Sequence, residues 1–224
     1  CVSYVNHRIP VIAGTGSNNT HEALEFTSDA VSSGADAALL VTPYYTRPSQ
    51  EGLYQHFKAI AESVDIPQIL YNVPGRTACD LSLETIARLT EFDNIVGIKD
   101  ATGDLETGRR LMDAYGDRLA IYSGEDGLSR ELILAGADGT ISVTANVAPS
   151  LMSQMCAAAL TVDQAQAEQL DGSMTLLHES LFLEGNPVPV KWALAQMGMI
   201  SPALRLPLVE LSSRYHVQLS NALA

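Results

Sequence analysis

Cysteines, basic residues and long hydrophobic runs are all scarce in this sequence of 224 residues. Its three cysteines show no C-x-x-C pairing and no metal-ligand spacing, which favours reduced thiols over a disulfide framework or a metal site. No apolar run approaches the roughly 20 residues that cross a bilayer, and no signal peptide is visible. These absences predict a cytoplasmic protein with no membrane partner.

Basic residues are half as numerous as acidic ones: 13 against 26, for a net charge of −13. The acidic residues are scattered along the chain, which predicts a soluble surface and excludes nucleic acid as a natural partner. No linker rich in glycine and serine and no low-complexity segment interrupts the chain. Hydrophobic residues make up 46% of the sequence, enough for one large core.

Short apolar runs alternate with amphipathic stretches through the first two thirds of the chain. The runs predict strands at Val11–Thr15, Ala38–Thr42, Gln68–Asn72, Ile95–Lys99, Leu119–Ser123 and Gly139–Val143. The stretches between them predict helices at His21–Ser33, Glu51–Val64, Leu83–Phe92, Leu105–Tyr115 and Leu128–Ala135. Later segments predict only helices, at Leu151–Leu160, Val162–Leu183, Val190–Met197 and Leu208–Leu219.

Repeated βα units with short loops predict an α/β fold with a parallel sheet and helices packed outside it. Six such units suit an open doubly wound sheet, or six of the eight units of a (β/α)8 TIM barrel. The glycine-rich stretch Val11–Ala23 does not complete G-x-G-x-x-G, because Asn19 stands at the third position, and this disfavours a dinucleotide site. We expect residues 1–148 to hold the βα units, with 1–8 as the tail of a preceding helix. Residues 149–224 would hold the last barrel helix and a C-terminal helical extension.

Lys99 ends an otherwise apolar strand, and Tyr71 ends the strand before it. In a parallel sheet the two residues would lie on adjacent strands at the same edge, where barrels place their chemistry. Burial disfavours the charged form of an amine, which would leave Lys99 able to condense with a ketone beside a phenol that relays protons. The alternative is a structural lysine that reaches water or pairs with Asp100.

Two loops next to these strands carry further candidates. Tyr44 and Tyr45 follow one strand, and Arg76 follows the Pro-Gly turn after Tyr71. A guanidinium there can hold a carboxylate in a bidentate manner. The structural alternatives, packed tyrosines and an arginine in a surface ion pair, stay open on these residues alone.

The motifs TPYY, YNVPGRT, GIKDATGD, SGED and GTISVTANVAP follow in this order along the chain. Together with NPVPVKWAL in the tail, they make the sequence similar to the dihydrodipicolinate synthase family. These pyruvate-dependent class I aldolases are relatives of N-acetylneuraminate lyase. The resemblance implies the TIM barrel and a Schiff-base condensation of pyruvate with L-aspartate 4-semialdehyde in the lysine and diaminopimelate pathway. It implies no metal and no organic cofactor.

The resemblance also implies a role for each matching residue. Lys99 would form the Schiff base, Tyr71 would donate and accept protons, and Tyr45 would join the proton relay in a neighbouring subunit's site. The remaining residues would bind substrates or the inhibitor lysine: Arg76, Ile141 (through its carbonyl), Asn72 and Gly124 for substrates, and Asn18, Glu22 and Tyr44 for lysine. The implied assembly is a homodimer or homotetramer.

The sequence departs from the family's pattern at its start. The family's barrel begins with two βα units that have no counterpart here, and the second carries a G-T-T-G-E loop whose threonine links the two relay tyrosines. The sequence also begins with Cys1, which suggests residues upstream; a truncated homologue and a fragment are the alternatives. The rival functions are therefore an impaired homologue that binds pyruvate or lysine, and a class I aldolase with another aldehyde acceptor.

Overall fold

The computed structural model describes residues 1–223 and divides the chain into two compact units, Cys1–Gly124 and Glu125–Ala224. The first unit contains five strands: β1 (Ile12–Gly14), β2 (Ala37–Val41), β3 (Gln68–Asn72), β4 (Ile95–Asp100) and β5 (Ala120–Ser123). Its helices are α1 (Val2–Val5), α2 (Thr20–Ser32), α3 (Gln50–Ser63), α4 (Pro74–Thr77), α5 (Leu83–Leu89) and α6 (Leu105–Tyr115). The predicted strand–helix alternation is therefore confirmed.

The five strands of the first unit pair in chain order, and every pair is parallel. Apolar side chains cover both faces of the central strands, so Leu70 on β3 and Ile98 on β4 are completely buried. Phe57 and Ile60 of α3 are equally buried and supply the helical side of the core. This two-sided burial explains why the strands read as nearly continuous apolar runs.

Capping side chains set where the helices of the first unit begin. Asn19, Ser49, Ser82 and Asp104 each accept a hydrogen bond from a backbone N–H in the first turn of the helix that follows. Such bonds satisfy N–H groups that have no partner within the helix. The loops after the strands are therefore held firmly at the carboxyl edge of the sheet.

The second unit is mainly helical. It contains α7 (Asp126–Leu134), the short strand β6 (Gly139–Thr140), α8 (Pro149–Leu160), α9 (Gln164–Ser180), α10 (Val188–Gln196) and α11 (His216–Ala222). Two 3-10 turns, Thr144–Asn146 and Ser213–Tyr215, complete it. Its core includes Leu181, Val188, Leu211 and Leu219. Among residues 1–223, no helix has the length and apolar character needed to cross a membrane.

Two predicted elements of the second unit differ from the structure. The strand predicted at Gly139–Val143 ends at Thr140, because the amides of Val143 and Thr144 bond to the Asp126 carboxylate and are not available to a strand. The helix predicted at Leu208–Leu219 begins only at His216, after a 3-10 turn. Pro207, which lacks an N–H, precedes the irregular segment.

Candidate active site

Lys99 and Tyr71 form the centre of the candidate site. They occupy matching positions on the paired strands β4 and β3, so their side chains leave the sheet on the same face. The Lys99 side chain lies across the phenol, with Nζ 4.2 Å from the centroid of the Tyr71 ring, and Lys99 is only 8% exposed. The expected adjacency of the two residues is confirmed, and their catalytic roles stay predictions.

Gly124 leaves the space that the Lys99 side chain occupies. A Cβ atom at this position would lie 2.6 Å from the Cβ of Ala101, 2.8 Å from Cε of Lys99 and 3.0 Å from the carbonyl oxygen of Asp100. Every one of these distances is shorter than an ordinary carbon contact of about 3.5–4.0 Å. The residue after β5 therefore has to be glycine for Lys99 to keep this position.

Asp100 and Asn72 also pair across β4 and β3, one residue further along. Because side chains alternate between the two faces of a strand, these two leave the sheet on the face opposite to Lys99 and Tyr71. Asp100 is 3% exposed and accepts a hydrogen bond of 2.9 Å from the Thr102 hydroxyl. Burial raises the pKa of its carboxyl to about 6, although the Thr102 hydrogen bond acts in the opposite direction.

Asn72, predicted to bind substrate, has both ends of its side-chain amide bonded within the protein. Its Nδ2 donates to the Asp80 carboxylate at 2.7 Å, and its Oδ1 accepts from the backbone N–H of Leu81 at 3.1 Å. Asn72 is 2% exposed, so both ends of the amide are used within the protein. These contacts hold the loop before α5, and substrate binding by Asn72 stays a prediction.

Tyr44, Tyr45 and Arg76 come together in a second part of the candidate site. They line an open cavity of about 690 Å³ beside the ends of β2 and β3, which Lys99 and Tyr71 do not line. Tyr45 is 88% exposed and has a φ of 71°, in the left-handed region. Its backbone N–H donates to the carbonyl of Thr77 at 3.3 Å. The phenol of Tyr45 thus projects into solvent from a fixed backbone.

The residues predicted to bind lysine lie in or next to two loops. Asn18 belongs to the β1–α2 connection and Glu22 to the first turn of α2, where Glu22 Oε2 accepts from the Ser17 hydroxyl at 2.7 Å. Tyr44 lies in the β2–α3 connection and is 42% exposed. Among residues 1–223, no described contact joins these three side chains to one another, so the shared lysine site stays a prediction.

Ile141, predicted to act through its carbonyl, directly follows β6 and is half-buried. The turn after it is held by Asp126: the carboxylate oxygen Oδ2 accepts from the N–H of Val143 at 3.1 Å and from the N–H of Thr144 at 2.9 Å. The Thr144 hydroxyl donates to the same oxygen at 3.1 Å. Asp126 is 3% exposed. Sequence reasoning missed this residue, although it belongs to the SGED motif.

Further buried polar contacts of the second unit extend from Thr144. Its hydroxyl lies 2.8 Å from Nδ1 of His178, whose Nε2 lies 3.4 Å from the Asp171 carboxylate. The Nε of Arg130 donates to the other oxygen of Asp171 at 3.0 Å. Burial alone would raise the pKa of Asp171, but hydrogen bonds from His178 and Arg130 outweigh it and lower the pKa. These residues reinforce the turn behind Ile141.

Comparisons with known proteins identify the family. A family model built on sequences, described as "Dihydrodipicolinate synthetase family", matches residues 1–224. The chain belongs to this family. It is 59% identical over 223 residues to the 4-hydroxy-tetrahydrodipicolinate synthase of Thioalkalivibrio sulfidiphilus, a match that covers 100% of this chain and 76% of the relative. The synthase of Pseudomonas aeruginosa is 55% identical over 222 residues, with 99% and 76% covered.

Solved structures of dihydrodipicolinate synthases have the same fold. The Acinetobacter baumannii enzyme, described as chloride inhibited and complexed with pyruvate, matches with a TM-score of 0.97 and 58% identity, over 99% of this chain and 76% of that one. The Cyanidioschyzon merolae enzyme with lysine bound has a TM-score of 0.90 and 37% identity, over 95% and 72%. The chain thus has six βα units of a (β/α)8 barrel and spans about three quarters of its relatives' length. The family and fold predictions are confirmed.

Proposed function

We propose that this chain is a class I aldolase-type lyase that condenses pyruvate with L-aspartate 4-semialdehyde to form 4-hydroxy-tetrahydrodipicolinate. The observation that carries the proposal is the buried Lys99 side chain, held with its Nζ 4.2 Å from the centre of the Tyr71 ring. An amine enclosed beside a phenol is what imine chemistry with a keto acid requires. The relatives named as this synthase, at 55–59% identity, support the same reaction.

In the proposed reaction, Nζ of Lys99 attacks the ketone carbon of pyruvate, and loss of water gives an imine. The imine acidifies the methyl group, which loses a proton and becomes an enamine. The enamine carbon bonds to the aldehyde carbon of the semialdehyde, whose oxygen takes up a proton to become a hydroxyl. The amino group of the semialdehyde then displaces Lys99 from the former ketone carbon. Tyr71 is the nearby group that carries these protons.

The other predicted residues have supporting roles in the proposal. Arg76, exposed in its cavity, binds the carboxylate of the semialdehyde, and Gly124 leaves room for the lysine arm. Tyr45 carries protons to a neighbouring subunit's site in a homodimer or homotetramer, and Ile141 contributes its carbonyl to substrate binding. Lysine binds at Asn18, Glu22 and Tyr44 as an inhibitor, and the protein works in the cytoplasm. The lysine-bound structure of the Cyanidioschyzon merolae enzyme supports lysine as a ligand.

Trapping with borohydride tests the first step. The chain has only three lysines, Lys58, Lys99 and Lys191, so a reduced pyruvate adduct can be assigned by mass spectrometry of peptides. We expect the adduct on Lys99, and its loss in Lys99→Ala. The Lys58→Ala variant is the matched control, because Lys58 lies on α3 and should leave trapping unchanged. An adduct-free Lys99 in folded protein would refute the proposal.

A second candidate function is capture of pyruvate without turnover. A coupled assay with aspartate semialdehyde separates the two candidates, because capture alone gives the Lys99 adduct and no cyclic product. Arg76→Ala distinguishes the third candidate, an aldolase with another acceptor. If the semialdehyde is the substrate, the variant should lose its use of that aldehyde and keep imine formation.

A further inference from the structure

The cavity at the ends of β2 and β3 contains a second arginine that no predicted role uses. Its lining residues come from two loops: Tyr44, Tyr45, Thr46, Arg47, Arg76, Thr77 and Ala78. The cavity volume of about 690 Å³ is in the range of sites for small metabolites. Arg47 follows β2 and Arg76 lies in α4 after β3, so two separate connecting segments each contribute one arginine to the lining of the same cavity.

The two guanidinium groups have no neutralising partner within the described chain. Among residues 1–223, the arginines found in ion pairs are Arg88 and Arg130. No ion pair joins Arg47 or Arg76 to a carboxylate. No acidic side chain lines the cavity. This is unusual in a chain with a net charge of −13, where carboxylates outnumber basic groups. Two uncompensated cations in one cavity favour an anionic ligand.

Hydrogen bonds join the two backbone segments that carry the arginines. Arg47 has a φ of 47°, in the left-handed region, and Tyr45, two residues before it, is also left-handed. The buried hydroxyl of Thr42 donates to that of Thr77 at 3.2 Å, and the N–H of Tyr45 donates to the Thr77 carbonyl at 3.3 Å. The loop that carries Arg47 is therefore tied directly to the residue after Arg76. Arginines held in this way can grip a carboxylate without ordering a loop first.

We propose that Arg47 and Arg76 together form the carboxylate site for the second substrate, so that Arg47 is a specificity-determining residue of the reaction. The inference rests on the proposed function and deepens it. The ligand class is a small aldehyde or ring product that carries carboxylate groups, with the semialdehyde as the substrate. An aldehyde without a carboxylate leaves both guanidinium groups unpaired and is a poor acceptor for this reason.

Kinetics of Arg47→Ala and Arg47→Lys test the proposal. A charge-assisted hydrogen bond contributes about 1.5–3 kcal/mol, so we expect KM for aspartate semialdehyde to rise roughly 10- to 100-fold in Arg47→Ala. The lysine variant keeps the charge without the bidentate geometry and should have an intermediate KM. Trapping of pyruvate on Lys99 and kcat should both stay within about twofold of the original protein, because Arg47 does not contact the reacting amine.

Arg109→Ala is the matched control, since Arg109 is an exposed arginine on α6 that does not line the cavity. A KM for Arg47→Ala equal to that of the control would overturn the proposal. If the original protein neither traps pyruvate nor turns over, the proposed function fails, and calorimetry with glutarate then tests the arginine site alone. Glutarate binding that is lost in Arg47→Ala supports the site. The site is refuted if the original protein and the Arg47→Ala variant bind glutarate equally, or if neither binds it.

Discussion

Replacement of Gly124 by alanine is a direct test of how Lys99 is held. The added Cβ would meet the Cβ of Ala101 at 2.6 Å, Cε of Lys99 at 2.8 Å and the carbonyl oxygen of Asp100 at 3.0 Å. The backbone oxygen and the alanine methyl belong to a paired strand and the residue after it, and they have little room to move. The lysine arm is flexible, so we expect it to be the group that gives way.

The size of the effect follows from these contacts. Overpacking a tight site costs about 1–3 kcal/mol of stability, partly offset by about 0.4–1 kcal/mol because alanine restricts the unfolded chain. We therefore expect Gly124→Ala to lower the free energy of unfolding by about 1–2 kcal/mol. The loss of reactivity should be larger than the loss of stability, because displacing a reacting group by about 1 Å can cost on the order of 100-fold in rate.

The assay combines urea unfolding with the rate of pyruvate trapping by borohydride at Lys99. Gly127→Ala is the matched control: Gly127 is exposed in α7, and an added Cβ would meet nothing within 4 Å. That variant should gain up to about 1 kcal/mol in helix propensity and trap pyruvate normally. Unchanged trapping and unchanged unfolding in Gly124→Ala would show that Gly124 does not position the lysine.

Three further variants test the buried ionisable groups by urea unfolding. Burial lowers the pKa of His56 to about 4, below its unfolded value of about 6.5, so the original protein should lose about 3 kcal/mol as pH falls from 6.5 to 4, and His56→Gln should not. Burial raises the pKa of Asp100 to about 6, so stability should instead fall by about 2 kcal/mol as pH rises from 4 to 6. Asp100→Asn should remove that fall, and an unchanged pH profile in either variant would contradict its assignment. Asp171→Asn should cost about 2–4 kcal/mol near neutral pH, because Arg130 and His178 lose their carboxylate partner; a loss below about 0.5 kcal/mol, as for an ordinary surface change, would exclude this role.

The strands and the Lys99–Tyr71 pair could be predicted because local sequence determines both. Apolar runs such as Gln68–Asn72 are long enough to show a doubly buried strand, and the structure has the same bounds. Two such strands in parallel bring their carboxyl ends to one edge, which brings Lys99 beside Tyr71. The spacing of apolar residues along the sequence is therefore enough to predict these strands, and contacts between distant residues are not needed.

The remaining features depend on contacts between residues far apart in the chain. Nothing local shows that Asp126 bonds to Val143 and Thr144, so the sixth strand was predicted too long. The contacts of Asn72 with Asp80 and Leu81 are equally invisible in the sequence. Sequence patterns predict which segments are buried, whereas the partners of buried polar groups have to be observed.

Two buried ionisable side chains occupy the end of β4 at the candidate site. Lys99 and Asp100 are successive residues, both more than nine-tenths buried, on opposite faces of one strand. Burial disfavours the charged form of the Asp100 carboxyl, so this group destabilises the strand end. A stable core would place apolar residues at these positions, as β4 itself does at Ile95 and Ile98. On one face, Gly124 leaves the space that the amine needs; on the other, Thr102 supports the carboxylate. Supporting contacts on both faces agree with the proposal that Lys99 carries out chemistry here, because apolar residues at these positions would give a more stable core.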